Sequence, residues 1–232
     1  DWAEARLVDA SGRAYYLSDF LRKTEGFLQQ TQIPASFQYG GVSSAKLLAE
    51  WVREAKPPVE QNGRRIYDLT WREPDGGFAA TWRVQEFRDW PAIEFRWIFS
   101  NEGKAASKVL SQALALDLEA NVLPGNMRVL HCSGGLTGGM TAPDLGFELA
   151  ETRLGALTLS GAGGRSSNRN LPFFLLHNDQ SAEGLFVGVG WSGHWQAQIN
   201  AGELTGPVRL TAEMPGLKAA LPPGERILSP GI

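Results

Sequence analysis

The chain has 232 residues, of which 43% are hydrophobic, and its formal net charge is -3. This length and apolar content suit one large β-domain with a sizeable core. The low charge and the absence of a basic stripe argue against a nucleic-acid partner. No apolar run approaches the roughly 18 residues of a membrane span, so we expect no membrane partner either.

Alternation of apolar and polar residues with period two, the signal of β-strands, runs through most of the chain. In chain order, the apolar sets are Tyr67/Leu69/Trp71, Ile93/Phe95/Trp97/Phe99, Leu114/Leu116/Leu118, Leu185/Val187/Val189/Trp191 and Val208/Leu210/Ala212/Met214. Turn sequences such as Asn62-Gly63 and Pro222-Pro223-Gly224 separate them. Many short strands at near-regular spacing predict an all-β sandwich or barrel.

One segment departs from the strand period. From Ser43 to Trp51, a serine cap precedes apolar residues at helical spacing, which predicts a helix of one or two turns. No internal repeat and no long low-complexity linker divides the sequence, so we predict a single domain over residues 1–232. The last residues, Pro223 to Pro230, have the composition of a connection to a further segment.

Residues for hydrolytic chemistry do not form a recognisable set. A glycosidase normally needs two facing carboxylates, and the carboxylates here fall in turns or on the polar phase of strands. The three histidines, His131, His177 and His194, lack metal-ligand spacing, and the single cysteine, Cys132, cannot build a thiolate site. No Gly-x-Ser-x-Gly elbow occurs. We therefore predict no catalytic residue, no metal and no cofactor in this chain.

Two polar turns, Gly164–Asn168 and Trp191–Trp195, are the best candidates for contacting a carbohydrate or a neighbouring domain. Their candidate residues are Arg165, Ser166, Ser167, Asn168, His194 and Trp195. Polar side chains of this kind can hydrogen-bond sugar hydroxyls, and an indole ring can stack on a sugar face while keeping one polar handle. The chain has eight tryptophans, which favours carbohydrate binding. The competing interpretation is that both are conformational turns whose aromatic rings pack inward.

The alternation separates the two tryptophans of the second turn. Trp191 continues the apolar face of Leu185, Val187 and Val189, so we expect it in the core. Trp195 follows the turn, and we expect it to be the more exposed of the two.

Several short motifs follow one another along the chain. They are Phe37–Ser44, Glu86–Glu94, Asn101–Gly103, Gly164–Ser167, Leu171–Phe174, Gly190–Trp195 and Leu221–Glu225. In order and spacing they resemble the N-terminal β-supersandwich domain of α-galactosidase-type enzymes, glycoside hydrolase family 36 and its close bacterial relatives. The resemblance spans about residues 33 to 232.

The resemblance implies an antiparallel β-supersandwich of the galactose mutarotase-like kind, with one short helix. It also implies a parent enzyme with a retaining mechanism and two catalytic aspartates in a following (β/α)8 barrel. The sequence stops where that barrel would begin, so no position inherits the nucleophile or the acid. We therefore expect this chain alone not to be an enzyme. The implied partners are the catalytic barrel of the same polypeptide, an α-galactoside-like carbohydrate and, through oligomer contacts, further copies of the chain.

Three functions stay open on the sequence. We favour a noncatalytic N-terminal domain of an α-galactosidase-like glycoside hydrolase, which packs on the barrel and lines the sugar site. The alternative is a free-standing carbohydrate-binding module, motivated by the tryptophans and the polar loops. The third is an aldose epimerase with a His/Glu pair, but no motif places a histidine opposite a glutamate. The sequence leaves the compartment open, and an extracellular or periplasmic role is compatible with polysaccharide degradation.

Overall fold

A computed structural model describes residues 33–74, 77–90, 92–120, 127–135, 149–153, 155–178, 184–201 and 208–232, together with two short strands nearer the N-terminus. Those two strands, β1 (Arg6–Val8) and β2 (Ala14–Tyr16), pair antiparallel. The chain divides into two compact units. The first unit comprises Asp1–Ala115 with Gly216–Ser229, and the second comprises Leu116–Pro215 with Pro230–Ile232.

The first unit holds an antiparallel sheet of the strands β5 (Val52–Ala55), β6 (Val59–Gln61), β7 (Arg64–Arg72), β8 (Phe78–Phe87), β9 (Ile93–Asn101) and β19 (Arg226–Leu228). Their order is β19-β9-β8-β7-β5, and β6 also pairs with β7. The strands β3 (Ser36–Tyr39), β4 (Val42–Ser43) and β18 (Lys218–Ala220) complete the unit together with the first part of β10 (Val109–Ala120). We call the sheet formed by β5 to β9 and β19 the first-unit sheet.

The predicted alternation places an aromatic core on one face of the first-unit sheet. Trp82 lies directly opposite Trp97 in the β8–β9 register, and both are buried. Phe37 of β3 meets Trp97 edge to face, with ring centroids 5.1 Å apart. Phe99 lies two residues further along β9 and is also buried. The strand predictions around Trp71 and Trp97 are confirmed by β7 and β9.

The opposite face of the first-unit sheet is polar, and its side chains bond to one another. The guanidinium group of Arg83 donates two hydrogen bonds to the Asp68 carboxylate, at 2.7 and 2.6 Å. The hydroxyl groups of Thr70 and Thr81 lie 2.8 Å apart across the same two strands. Each partner therefore keeps its polar atoms satisfied while the face remains partly open to water.

The predicted helix is confirmed as α1 (Ser44–Glu50). Ser43 occupies the N-cap position, but its side chain makes no capping hydrogen bond. Ser44, which is buried, instead accepts a hydrogen bond from the Phe37 N–H at 3.2 Å. The helix closes with the Trp51 N–H donating to the Leu47 carbonyl at 2.8 Å.

The second unit holds a four-stranded antiparallel sheet of β11 (Met127–Ser133), β12 (Leu149–Arg153), β14 (Asn170–Asn178) and β15 (Gly184–Gly188), which we call the second-unit sheet. Its strand order is β12-β11-β14-β15. The other strands of the unit are β13 (Ala156–Ser160), β16 (Gln196–Ala201) and β17 (Val208–Glu213), which pair antiparallel in the order β13-β16-β17. The second part of β10 lies beside β17.

A β-bulge in β10 changes the face pattern predicted there. The pairing register with β3 shifts between Ser111 and Leu114, and Gln112 has a φ of 45°. A bulge inserts one extra residue, so the alternation changes phase. Leu110 is buried before the bulge, and Ala113 and Ala115 are buried after it. Of the predicted set, Leu116 is buried, whereas Leu114 and Leu118 are only half-buried.

The expected all-β, antiparallel fold with one short helix is confirmed in the described part of the chain. The expectation of a single domain over residues 1–232 stays a prediction. No helix among the described residues is long and apolar enough to cross a membrane.

Candidate functional site

The first candidate turn lies in the connection between β13 and β14, residues 161–169, which we call the 161–169 loop. It opens with a tight turn in which the Arg165 N–H donates to the Ala162 carbonyl at 3.1 Å. The two central residues, Gly163 and Gly164, have φ values of 57° and 73°. Positive φ at both central positions is the signature of a type I′ turn, which glycine adopts without steric cost.

The end of β11 fixes the backbone of this loop. The Gly134 N–H donates to the Arg169 carbonyl at 2.9 Å, and the Gly135 N–H donates to the Ser167 carbonyl at 3.0 Å. A Cβ atom added at Gly134 would lie 1.9 Å from the Ser167 oxygen. Only glycine permits this close backbone contact, so the sequence specifies where the loop rests.

Trp195 supports the same loop from inside the unit. Its indole N–H donates to the Ser166 carbonyl at 2.6 Å, and the Gly161 N–H donates to the Trp195 carbonyl at 3.0 Å. The Trp195 side chain is 0% exposed, so the prediction that it is exposed is wrong. The reason is that Trp195 begins the buried set of β16, which continues through Ala197 and Ile199.

Trp191 also departs from its expected place in the core, because it is only half-buried. Its N–H donates to the carbonyl of Val189, two residues earlier, at 2.9 Å. Gly190 is the central residue of this tight turn, and its N–H donates to the Gly231 carbonyl at 2.7 Å. The strand alternation therefore ends at Val189 and does not extend to Trp191.

The candidate residues differ in exposure. The side chains of Arg165, Ser167 and His194 are exposed, whereas Ser166 and Asn168 are half-buried. The structure brings Ser166 and Trp195 together through one hydrogen bond, and that bond uses the Ser166 backbone. The outward groups of the loop are therefore the guanidinium groups of Arg165 and Arg169 and the hydroxyl of Ser167, on a fixed backbone.

This arrangement can hydrogen-bond a hydroxyl-rich ligand or a polar protein surface. The 161–169 loop contains no aspartate or glutamate, so it supplies neither member of a glycosidase carboxylate pair. Since the ring of Trp195 is buried, it offers no stacking surface. Of the six candidate residues, Arg165, Ser167 and His194 are the ones whose side chains reach solvent.

The histidines do not converge. His131 lies opposite Phe174 in the β11–β14 register, while His177 lies opposite Arg128, three positions away and on the other face of the sheet. Burial lowers the pKa of His131. In the part of the chain that the structure describes, no three His, Cys, Asp or Glu side chains form a group that could hold a metal ion.

Trp90 is an exposed aromatic residue that the sequence reasoning did not single out. It lies in the turn between β8 and β9, and 69% of the residue is exposed. The Arg88 N–H donates to the Gly63 carbonyl at 2.9 Å, which ties this turn to the β6–β7 hairpin. The Arg88 guanidinium pairs with Glu60. The position of Trp90 in a turn, directly after Asp89, is the sequence signal that could have identified it as exposed.

No protein-family model matches the sequence. A search of curated proteins finds no match either. Solved structures do match. The GH36 α-galactosidase AgaA from Geobacillus stearothermophilus is 16% identical, with a TM-score of 0.61 over 86% of this chain. The α-galactosidase from Lactobacillus brevis is 15% identical, with a TM-score of 0.60 over 87% of this chain.

The galactosidase domain of the α-galactosidase-sucrose kinase AgaSK gives a similar result, with 14% identity and a TM-score of 0.61 over 87% of this chain. The chain spans well under a third of these structures, covering 29%, 28% and 29% of the three. At such low identity the likeness establishes the fold. The fold expected from the sequence motifs, that of part of the GH36 α-galactosidases, is thereby confirmed.

Proposed function

We propose that this chain is the noncatalytic N-terminal domain of an α-galactosidase-like glycoside hydrolase. The observation that carries the proposal is the unequal coverage of the structural match. Solved α-galactosidases match 86% or more of this chain, yet the chain matches only 28–29% of them. A domain of a longer enzyme accounts for both figures. Its role is to pack on the catalytic barrel of the same polypeptide and to support carbohydrate metabolism through it.

The substrate class follows from what the matched structures contain. Variants of AgaA were solved in complex with raffinose and with stachyose. We propose by analogy that the parent of this chain acts on α-galactosides. The 161–169 loop is the part that we expect to approach the barrel or the sugar, because its backbone is fixed while Arg165 and Ser167 face outward.

Determining the full reading frame tests the proposal directly. We expect it to encode, after residue 232, a segment long enough for a (β/α)8 barrel, about 250 residues. A stop codon immediately after Ile232 in the natural gene would contradict the proposal.

The role of the loop can be tested in the parent enzyme with Arg165→Ala. We expect a several-fold rise in KM for raffinose, or a fall in the enzyme's thermal midpoint, according to whether Arg165 meets the sugar or the barrel. Arg169→Ala is the matched control, because it removes an exposed arginine from the same loop. Equal kinetics and equal melting of both variants and the wild type would remove the loop from the proposal.

A free-standing carbohydrate-binding module is the second candidate, and the exposure of Trp90 favours it. In that case, titration of the 232-residue chain with raffinose should change its tryptophan fluorescence saturably at millimolar sugar. Trp90→Leu should abolish the change, while Trp191→Phe should retain it. A flat titration would dismiss this function and leave the first one untouched.

A further inference from the structure

The two faces of strands β14 and β15 are both apolar. On the inner face, Phe174 and Leu176 of β14 lie opposite Val187 and Leu185 of β15. Phe174, Leu176 and Val187 are buried. This face supplies the core of the second unit, as expected for one side of an antiparallel sheet.

The outer face of the same strands carries large apolar side chains in contact with one another. Phe186 is 65% exposed and Phe173 is 36% exposed. Their ring centroids lie 5.9 Å apart, with an interplanar angle of 31°. Leu175 lies directly opposite Phe186, and Leu130 of β11 lies directly opposite Leu175. We call Leu130, Phe173, Leu175 and Phe186 the outer apolar face.

Sheets that are apolar on both sides are normally covered on both sides. An antiparallel sheet with one solvated face shows polar residues there, and the first-unit sheet does so with Asp68, Thr70 and Arg83. Single exposed apolar residues are common, whereas two exposed rings in contact on neighbouring strands form a patch, and apolar patches occur at interaction surfaces. The outer apolar face therefore has the composition of a surface that another protein segment covers.

The area of this face identifies the kind of occupant. A whole aromatic side chain has at most about 250 Å² of surface. With that value, the exposed fractions of Phe173 and Phe186 add up to about 250 Å² for the two rings together. A stable complex between separate proteins buries about 800 Å² on each partner. The exposed area of these two rings alone falls short of the area that a stable dimer buries. A tethered partner needs less area, because the covalent connection gives it a high effective concentration.

We propose that the outer apolar face is covered by an apolar surface of the rest of the parent polypeptide. This inference rests on the proposed function, because it takes the occupant from the same longer chain. More than two thirds of the length of the matched α-galactosidases lies outside the match, which is enough chain to supply such a covering surface. The partner surface is expected to present aliphatic and aromatic side chains that match the exposed rings of Phe173 and Phe186.

Cysteine alkylation in the parent protein tests this assignment. Phe186→Cys places a thiol on the outer apolar face, and Thr158→Cys places one at an exposed position on β13 of the same unit. Labelling by a maleimide is quantified peptide by peptide with mass spectrometry, so native cysteines do not interfere. We expect Cys at position 186 to react at least tenfold more slowly than Cys at 158 in the folded parent, and equally fast in denaturant.

Equal rates at the two positions in the folded parent would overturn the inference, even if the parent proves to be an α-galactosidase. Protection of the position-186 thiol from maleimide that disappears when the parent protein is diluted would also overturn the inference. Such a concentration dependence would indicate that a second copy covers the face. In the 232-residue chain the position-186 thiol should react within twofold of the control, and protection there would again contradict a partner outside these residues. A reading frame without a further domain would instead refute the proposed function.

Discussion

The first-unit sheet and the second-unit sheet have similar inner faces and opposite outer faces. Each buries aromatic residues on one side, Trp97 in the first and Phe174 in the second. On the other side the first-unit sheet pairs Arg83 with Asp68, whereas the second-unit sheet exposes Phe186. Polar groups that bond to one another can remain in water, while contiguous apolar groups favour a covering surface. The first-unit sheet therefore has an outer face suited to solvent, and we propose a covering partner only for that of the second-unit sheet.

The largest effects should come from the inner faces, where the two sheets are alike. Trp97→Ala and Phe174→Ala each remove a fully buried aromatic side chain. Each should lower the free energy of unfolding of its unit by about 3–5 kcal/mol, because burial is lost and a cavity remains. Urea unfolding followed by circular dichroism measures both. A cost below about 1 kcal/mol for either would mean that its sheet lacks the described core.

The next effect should be confined to the first unit and appear at alkaline pH. Burial raises the pKa of Tyr39 to about 12, opposed by the backbone N–H of Lys108 and reinforced by the charge of Glu73. The pKa is raised relative to the unfolded chain, so this contribution to stability is intact below pH 10 and is lost as the pH rises towards 12.

The expected loss over that interval is about 2–3 kcal/mol, since each pKa unit corresponds to about 1.4 kcal/mol. Urea midpoints measured between pH 9 and pH 12 would show it. Tyr39→Phe serves as the control, because it removes the titrating hydroxyl and should flatten this part of the pH dependence. An unchanged slope in that variant would assign the loss to other groups.

A smaller difference is expected between the stability costs of substituting one buried tryptophan in each unit. Both Trp97 and Trp195 are fully buried, but only the Trp195 indole N–H has a hydrogen-bond partner, the carbonyl of Ser166, among the described residues. Trp195→Phe should therefore cost about 1–3 kcal/mol more than Trp97→Phe, because that carbonyl loses its donor. The comparison needs only two denaturation curves, and a larger cost for Trp97→Phe would contradict it.

The smallest effects should come from the outer faces of the 232-residue chain. Asp68→Ala breaks a partly exposed ion pair and should cost about 0.2–1 kcal/mol. Phe186→Thr should change stability by less than about 0.5 kcal/mol, because the ring is mostly exposed. It should, however, reduce the binding of a hydrophobic dye such as ANS. Strong destabilisation by Phe186→Thr would show that its ring packs within this chain.

The sequence predicts the strands and the helix well because their signals are local. Alternation identifies the buried set of β17, and a short helical spacing identifies α1. It does not predict the bulge at Gln112, because an inserted residue leaves no mark in a pattern read one strand at a time. The alternation through Ala197 and Ile199 could have placed Trp195 in the core.

For the candidate site too, the sequence predicts the local turns but not the contacts between distant segments. Its turns are visible in the sequence as glycine-rich segments, and the type I′ turn at Gly163 and Gly164 follows from them. The support from Gly134 depends on β11, which is distant in the sequence. Long-range contacts of this kind decide which side chains face outward, so Arg165 remains a candidate while the ring of Trp195 does not.

The proposal that this chain is a noncatalytic domain of an α-galactosidase-like enzyme is tested most directly by galactose release from raffinose. The parent protein and the 232-residue chain are compared at equal molar concentration. We expect the parent to release galactose and the chain alone to release none, because the proposed function places the catalytic groups outside these residues. Galactose release by the chain alone, or none by the parent, would contradict it.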